Sequence, residues 1–196
     1  MDTRRALVLF GAPGSGKGTQ GRFLEKITPH LHISSGEILR QLPRDTELGK
    51  LFYSYTDRGE LAPDEMMVKV FNQHIDGLVE NGSYDPKKQL LMLDGIPRTV
   101  PQVHLLEGAI EVVHVVYFDV GSKEELIERI EKRAKIEGRS DDASIAIMEK
   151  RMQIFEDKTL KVMEAYPKEK LVRIDATKAP LQVLSEVLER LAPVLA

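Results

Sequence analysis

Residues Gly11-Ala-Pro-Gly14-Ser15-Gly16-Lys17-Gly18-Thr19 bring four glycines, one lysine and two hydroxyls into nine positions. Glycine lets the backbone turn so that successive amide N–H groups face one anion, and the lysine ammonium adds a full positive charge. Such a loop can hold the phosphates of a polyphosphate. It does so when a strand precedes it and a helix follows, because the helix N-terminus contributes its own partial charge. Both neighbours are legible: an apolar run from Ala6 to Phe10 comes before, and a helical pattern from Gly16 to Ile27 after. The strict G-x-x-x-x-G-K-[ST] pattern is displaced by one residue, since Gly18 follows the lysine and the hydroxyl arrives at Thr19.

Three further groups carry chemistry. Asp94-Gly95-Ile96-Pro97-Arg98-Thr99, with Gln102 beyond it, follows the apolar run Gln89 to Leu93. An acid at the carboxyl end of a strand stands where α/β sheets bind ligands, and it can hold magnesium through a water. The Gln102 side-chain amide carries both a donor and an acceptor. In Ser34-Ser35-Gly36-Glu37-Ile38-Leu39-Arg40, Ser35 is expected to cap a helix. Arg40 then lies about one and a half turns on, within reach of an anion near that cap. Finally, Arg139 lies within the polar turn Glu137 to Ala143, and Arg133 and Arg151 lie on either side of it. Guanidinium groups so placed suit phosphoryl transfer, in which charge spreads over several oxygens and the protein does little covalent chemistry. That turn and the helical stretch from His30 to Asp76 are candidates for mobile covers.

Gly-Ala-Pro-Gly-Ser-Gly-Lys-Gly-Thr-Gln and Asp-Gly-Ile-Pro-Arg resemble the phosphate loop and the Asp-Gly-Phe-Pro-Arg signature of adenylate kinases and of their relatives acting on uridine and cytidine monophosphates. Isoleucine replaces the usual aromatic, and glycine after the lysine is the family's own pattern. Gly59-Glu60-Leu61-Ala62-Pro63-Asp64 is similar to the family loop that closes over the acceptor base. The resemblance covers nearly the whole chain. It implies a P-loop NTPase type of fold with a core at 1–33, 78–136 and 144–196, a helical monophosphate-binding insertion at about 34–77 and a short lid at about 133–143. The implied reaction is reversible transfer of the γ-phosphate of MgATP to AMP, giving two ADP. It implies catalytic roles for Lys17, Arg98, Arg133, Arg139 and Arg151, and ATP contacts at Gly14, Ser15, Gly16, Lys17, Gly18, Thr19, Arg133 and Lys178. For AMP it implies Ser35, Arg40, Glu60, Leu61, Ala62, Gly95, Ile96, Pro97, Arg98, Gln102, Arg139 and Arg151, with Asp94 holding magnesium through water. The distance from Asp142 to Arg151 is one residue longer than in the family's short lid, which places an insertion near Ala143 to Ser144. A UMP/CMP kinase, a non-catalytic nucleotide-sensing protein and a plain ATP hydrolase are the competing readings.

The elements that must position these groups follow from hydropathy. Four β-rich apolar runs, Ala6 to Phe10, Gln89 to Leu93, Val112 to Phe118 and Leu171 to Ile174, are continuous rather than alternating, as in a parallel sheet covered on both faces. Helical patterns lie between them at Gly16 to Ile27, Pro63 to Glu80, Ser122 to Ile136, Ser144 to Tyr166 and Pro180 to Leu191, the third opening with a Ser122/Glu125 capping box. The stretch from about His30 to Asp76 shows helices but no strong strand, and is read as a helical insertion over the sheet. The pattern predicts an α/β fold, a parallel sheet flanked by helices.

Composition sets the remaining limits. At 196 residues, 42% apolar and 30% charged, the chain suits one domain, and its net charge of −3 offers no basic patch for nucleic acid. With no cysteine there is no disulfide and no thiolate zinc site, so no structural zinc is expected. No run approaches the ~20 apolar residues of a membrane span. The N-terminal run is too short for a signal peptide, and a cytoplasmic monomer is expected.

Overall fold

In the computed structural model, which describes residues 3–137 and 144–195, the first apolar run extends to a strand, β1 (Arg4–Phe10). Its residues Ala6 to Phe10 are all buried, and it occupies the middle of a five-stranded parallel sheet. The other strands are β2 (Leu31–Ser34), β3 (Leu91–Asp94), β4 (Ile110–Asp119) and β5 (Leu171–Asp175), in the spatial order β2-β3-β1-β4-β5. Burial on both faces explains why β1 and β3 read as unbroken apolar runs.

β2 adds a strand to the stretch from His30 to Asp76, in which the sequence shows no strong strand. It is short, lies at the sheet edge and alternates polar with apolar residues, so it lacks the continuous run that marks its neighbours. Its register matters for the site: Leu9 pairs with Asp94, and Ser34 pairs with Asp94 from the other side. Three strand ends therefore stand level at one edge of the sheet.

Helix α1 (Lys17–Ile27) starts at the lysine of the glycine loop. Then come α2 (Ser35–Arg40), α3 (Glu47–Thr56) and α4 (Asp64–Glu80). Leu39, Phe52, Ala62 and Met67 form a small apolar cluster apart from the main core. Helix α4 has two roles, because Val68, Phe71 and Ile75 on another face join the main core. Each such side chain contributes ~2–3 kcal/mol by burial, so α4 is the fixed wall on which α2 and α3 are built.

Helix α5 (Val100–Leu106), which hydropathy does not reveal, is capped by Thr99, whose hydroxyl accepts from the backbone N–H of Gln102 at 3.2 Å. Helix α6 (Lys123–Glu137) has half of the expected capping box. Ser122 Oγ accepts from Glu125 N, but the Glu125 carboxylate turns to Arg129 instead of returning to the cap. The expected helix from Ser144 to Tyr166 is broken: α7 (Ile145–Ile154) passes into a π-helical turn at Phe155–Thr159 and a 3₁₀ segment at Leu160–Ala165. The π turn brings Phe155 against Phe10, with ring centroids 5.8 Å apart. Helix α8 (Pro180–Leu195) closes the fold with a buried stripe of Val183, Val187, Leu191 and Leu195.

Candidate active site

A cleft of about 740 Å³ opens over the level strand ends, a volume within the usual range for small-molecule sites. On one side is the glycine loop. Gly16 caps α1 at φ 92°, and among the described residues no side chain occupies the cap and no acid lies in the first turn. The first amides of α1 are left for an anion. Lys17 Nζ donates to the carbonyls of Gly11 at 2.7 Å and Ala12 at 2.9 Å, so the ammonium bridges the loop. Burial, reinforced by the positive fields of Arg98, Arg133 and Arg151 and only partly opposed by Asp94, brings the Lys17 pKa down to about 8. Three guanidinium groups thus converge on the lysine from β3's end, α6 and α7.

Asp94, at the end of β3, faces this loop. Burial would raise its pKa, but the His32 imidazole, Lys17 and Arg98 together hold the carboxyl below the usual aspartate value. His32 Nε2 lies 3.6 Å from Asp94 Oδ2, at ion-pair distance rather than hydrogen-bond distance. The glycine that displaced the loop motif has its reason here. A Cβ on Gly18 would stand 3.1 Å from Asp94 Oδ2, so a serine or threonine in that place crowds the carboxylate. Among the described residues no group of three or more His, Asp or Glu could hold a metal ion. A single ionised acid beside a polyphosphate site suits magnesium, which keeps several waters and takes its other ligands from phosphate.

On the far side of Asp94 lies a second cradle. Gly95 adopts φ 80°, and its carbonyl accepts both from Ser35 Oγ and from Arg98 Nε, each at 2.8 Å. A Cβ on Gly95 would meet Arg98 Nη2 at 2.8 Å and Ser35 Oγ at 2.9 Å. Arg40 folds back along α2, its Nη1 2.9 Å from where a Gly36 Cβ would be. The cap itself corrects the sequence reading: Ser34, not Ser35, accepts from Glu37 N, which frees the Ser35 hydroxyl for Gly95.

Most of the singled-out residues line this cleft: Gly14 to Thr19, Ser35, Arg40, Glu60, Leu61, Ala62, Asp94, Gly95, Pro97, Arg98, Gln102, Arg133, Arg151 and Lys178. Ile96 does not, since its side chain is 0% exposed in the core. Arg139 and most of the polar turn, with the insertion inferred near Ala143, lie outside the described residues. Lys178 Nζ is paired with Glu186 at 3.0 Å. Glu60 is engaged by Lys150 of α7 at 2.7 Å and by Arg58 at 3.0 Å, tying the loop before α4 to the helix after the polar turn. The sequence reading missed Arg129, which lines the cleft and donates to the Ala176 carbonyl at 2.8 Å. Its signal was its place four residues before Arg133, on the same face of α6.

The Lys17 shift has a measurable consequence. The lysine is charged below about pH 8 and loses its charge above, so kcat/KM for a polyphosphate substrate held on the loop should fall about tenfold per pH unit above that point. Bound phosphates favour the ammonium, so kcat stays level to higher pH. Coincident breaks in the two profiles would contradict this.

Two anion cradles share one carboxylate at adjacent strand ends, which is the arrangement of a P-loop phosphotransferase that handles two phosphorylated substrates. The chain belongs to the adenylate kinase family. The family model described as "Adenylate kinase" matches residues 9–171. Proteins named adenylate kinase are similar along most of the chain. The one from Bacteroides fragilis is 39% identical over 167 residues, covering 82% of this chain and 83% of its own length. The Parabacteroides distasonis protein is 37% identical over 166 residues, covering 82% and 83%. The Porphyromonas gingivalis protein is 32% identical over 194 residues, covering 96% and 94%.

Proposed function

We propose that the protein transfers the γ-phosphate of MgATP reversibly to AMP, giving two ADP. The observation that carries this reading is the register of β1, β3 and β2, which sets the glycine loop and the Ser35/Arg40/Arg98 cradle on either side of Asp94. Two strand spacings separate them, ~10 Å. An oxygen of the acceptor's phosphate attacks the γ-phosphorus in line, and the bond from that phosphorus to the bridging oxygen of ADP breaks. No side chain forms a covalent intermediate. The α1 amides and Lys17 hold the donor, Ser35, Arg40 and Arg98 hold the acceptor, and Arg133 and Arg151 spread the charge between them. Arg139 is assigned to the same clamp by its place in the sequence. Asp94 would hold magnesium through water, and that ion would supply positive charge to the transferring phosphate. Glu60, Leu61 and Ala62 line the acceptor side, and Gln102 reads the base. Arg129 and Lys178 border the donor side.

No described helix is long and apolar enough to cross a membrane. The lack of cysteine agrees with action in the cytoplasm.

Steady-state assays with AMP, dAMP, UMP, CMP and GMP test the proposal. AMP should give the largest kcat/KM, and ATP alone should be hydrolysed far more slowly. A larger kcat/KM for UMP or CMP would replace AMP as acceptor, and acceptor-independent ATP loss would mark a hydrolase.

A further inference from the structure

The reading of Gln102 as the base-contacting residue raises a question of orientation. A glutamine amide can present its oxygen and nitrogen in either order, and only one order matches a given base edge. Gln102 is 1% exposed yet lines the cleft. Its Oε1 accepts from Arg98 N at 2.7 Å, and its Nε2 donates to Asp64 Oδ1 at 2.8 Å. A backbone N–H can only donate and a carboxylate can only accept, so these two partners admit one orientation. Flipping the amide would set nitrogen against N–H and oxygen against carboxylate.

Asp64 is itself anchored. It is the first residue of α4, where a carboxylate is favoured by the helix N-terminus. The same Oδ1 accepts the Thr99 hydroxyl at 2.9 Å, and Thr99 caps the helix that carries Gln102. The carboxylate therefore joins the start of α4, the wall of the acceptor segment, to the start of α5.

We propose that Asp64 is a positioning residue for base recognition: it locks the Gln102 amide so that one unused lone pair on Oε1 and one unused N–H on Nε2 serve the acceptor base in a fixed order. Adenine offers a ring-nitrogen acceptor beside an exocyclic amino donor. Hypoxanthine offers the reverse, a ring N–H beside a carbonyl. A locked amide accepts the first and rejects the second, whereas a free amide adapts to both. The proposal rests on the Gln102 reading above.

Asp64→Asn tests it, since the near-isosteric amide can donate to Oε1 as well as accept from Nε2, which removes the carboxylate half of the lock and leaves the Arg98 N–H alone to oppose the flip. Its kcat, its KM for AMP, IMP and ATP, and the ratio of kcat/KM for AMP over IMP are compared with those of wild type, Gln102→Ala and the double variant. Asp64→Asn should raise the KM for AMP about tenfold and lower the AMP:IMP ratio about tenfold, with the KM for ATP unchanged and kcat within about twofold. In the double variant the ratio should equal that of Gln102→Ala, because no amide is left to orient. A wild-type ratio in Asp64→Asn alongside a reduced ratio in Gln102→Ala overturns the role of Asp64 and leaves the base reading standing. A wild-type ratio in Gln102→Ala overturns both. An equal rise in the KM for ATP marks general distortion and also overturns the proposal.

Discussion

Lys17→Met should lower kcat by about 10³-fold or more while making the ligand-free protein more resistant to unfolding at pH 7. The two effects have one origin. The ammonium is partly buried and sits within the fields of Arg98, Arg133 and Arg151, with Asp94 as the opposing charge, and its pKa lies near 8 against an ordinary 10.5. A lysine whose folded value is depressed binds its proton less readily in the native state than in the unfolded one. Stability therefore rises with pH between about 8 and 10.5, and the whole penalty is present below 8. Methionine keeps the stem and removes the charge, so the variant's advantage should be full at pH 7 and vanish by about pH 10.5. The proposed role of the same charge is to meet the β- and γ-phosphates, because among the side chains of the glycine loop Lys17 alone is a cation. Thermal unfolding of both proteins from pH 6.5 to 10.5, with single-turnover rates at pH 7, checks the pair. Near-normal turnover, or a lower melting temperature than wild type at pH 7, would contradict the assignment.

Arg98→Ala should reduce kcat/KM for AMP by about 10²–10³-fold while changing the KM for ATP by no more than about threefold. The guanidinium has a double task. Its Nε is spent on the Gly95 carbonyl at 2.8 Å, which steers the fork into the cleft beside Ser35. Arg98→Lys keeps a charge but has a single terminal nitrogen, so it cannot hold Gly95 and grip an anion as a fork does. It should recover no more than about a tenth of the lost activity. The split between the two substrates is the diagnostic readout. An Arg98 variant that loses ATP and AMP affinity alike would place the arginine in general electrostatics rather than in the acceptor cradle.

Much of this site was legible in the sequence because its chemistry comes in contiguous segments. The loop from Gly11 to Thr19 carries its strand, its charge and its helix start in one stretch, and Asp94 to Arg98 carries a strand end and a cradle turn. What failed to show has equally physical causes. β2 is an edge strand with polar alternation, so hydropathy passed over it, although its register brings Ser35 to Gly95. The serine choice at the cap of α2 depends on that register too, since the hydroxyl that reaches across the sheet cannot also close the helix. The break in the expected helix after Ile154 follows no local signal either. It seats Phe155 on Phe10 of the central strand.

By itself the sequence determined the phosphate loop, the strand-end acid, the family and the supply of arginines, since each depends on neighbours within about ten residues. Only the tertiary structure decided which of these groups meet: Ser35 on Gly95 across 60 residues, Asp64 on Gln102 across 38, and Glu60 on Lys150 across 90. Such pairings depend on strand register and on how α4 sits against the core. Backbone propensity is a local property, and a hydrogen bond between distant residues leaves no mark on the pattern around either partner.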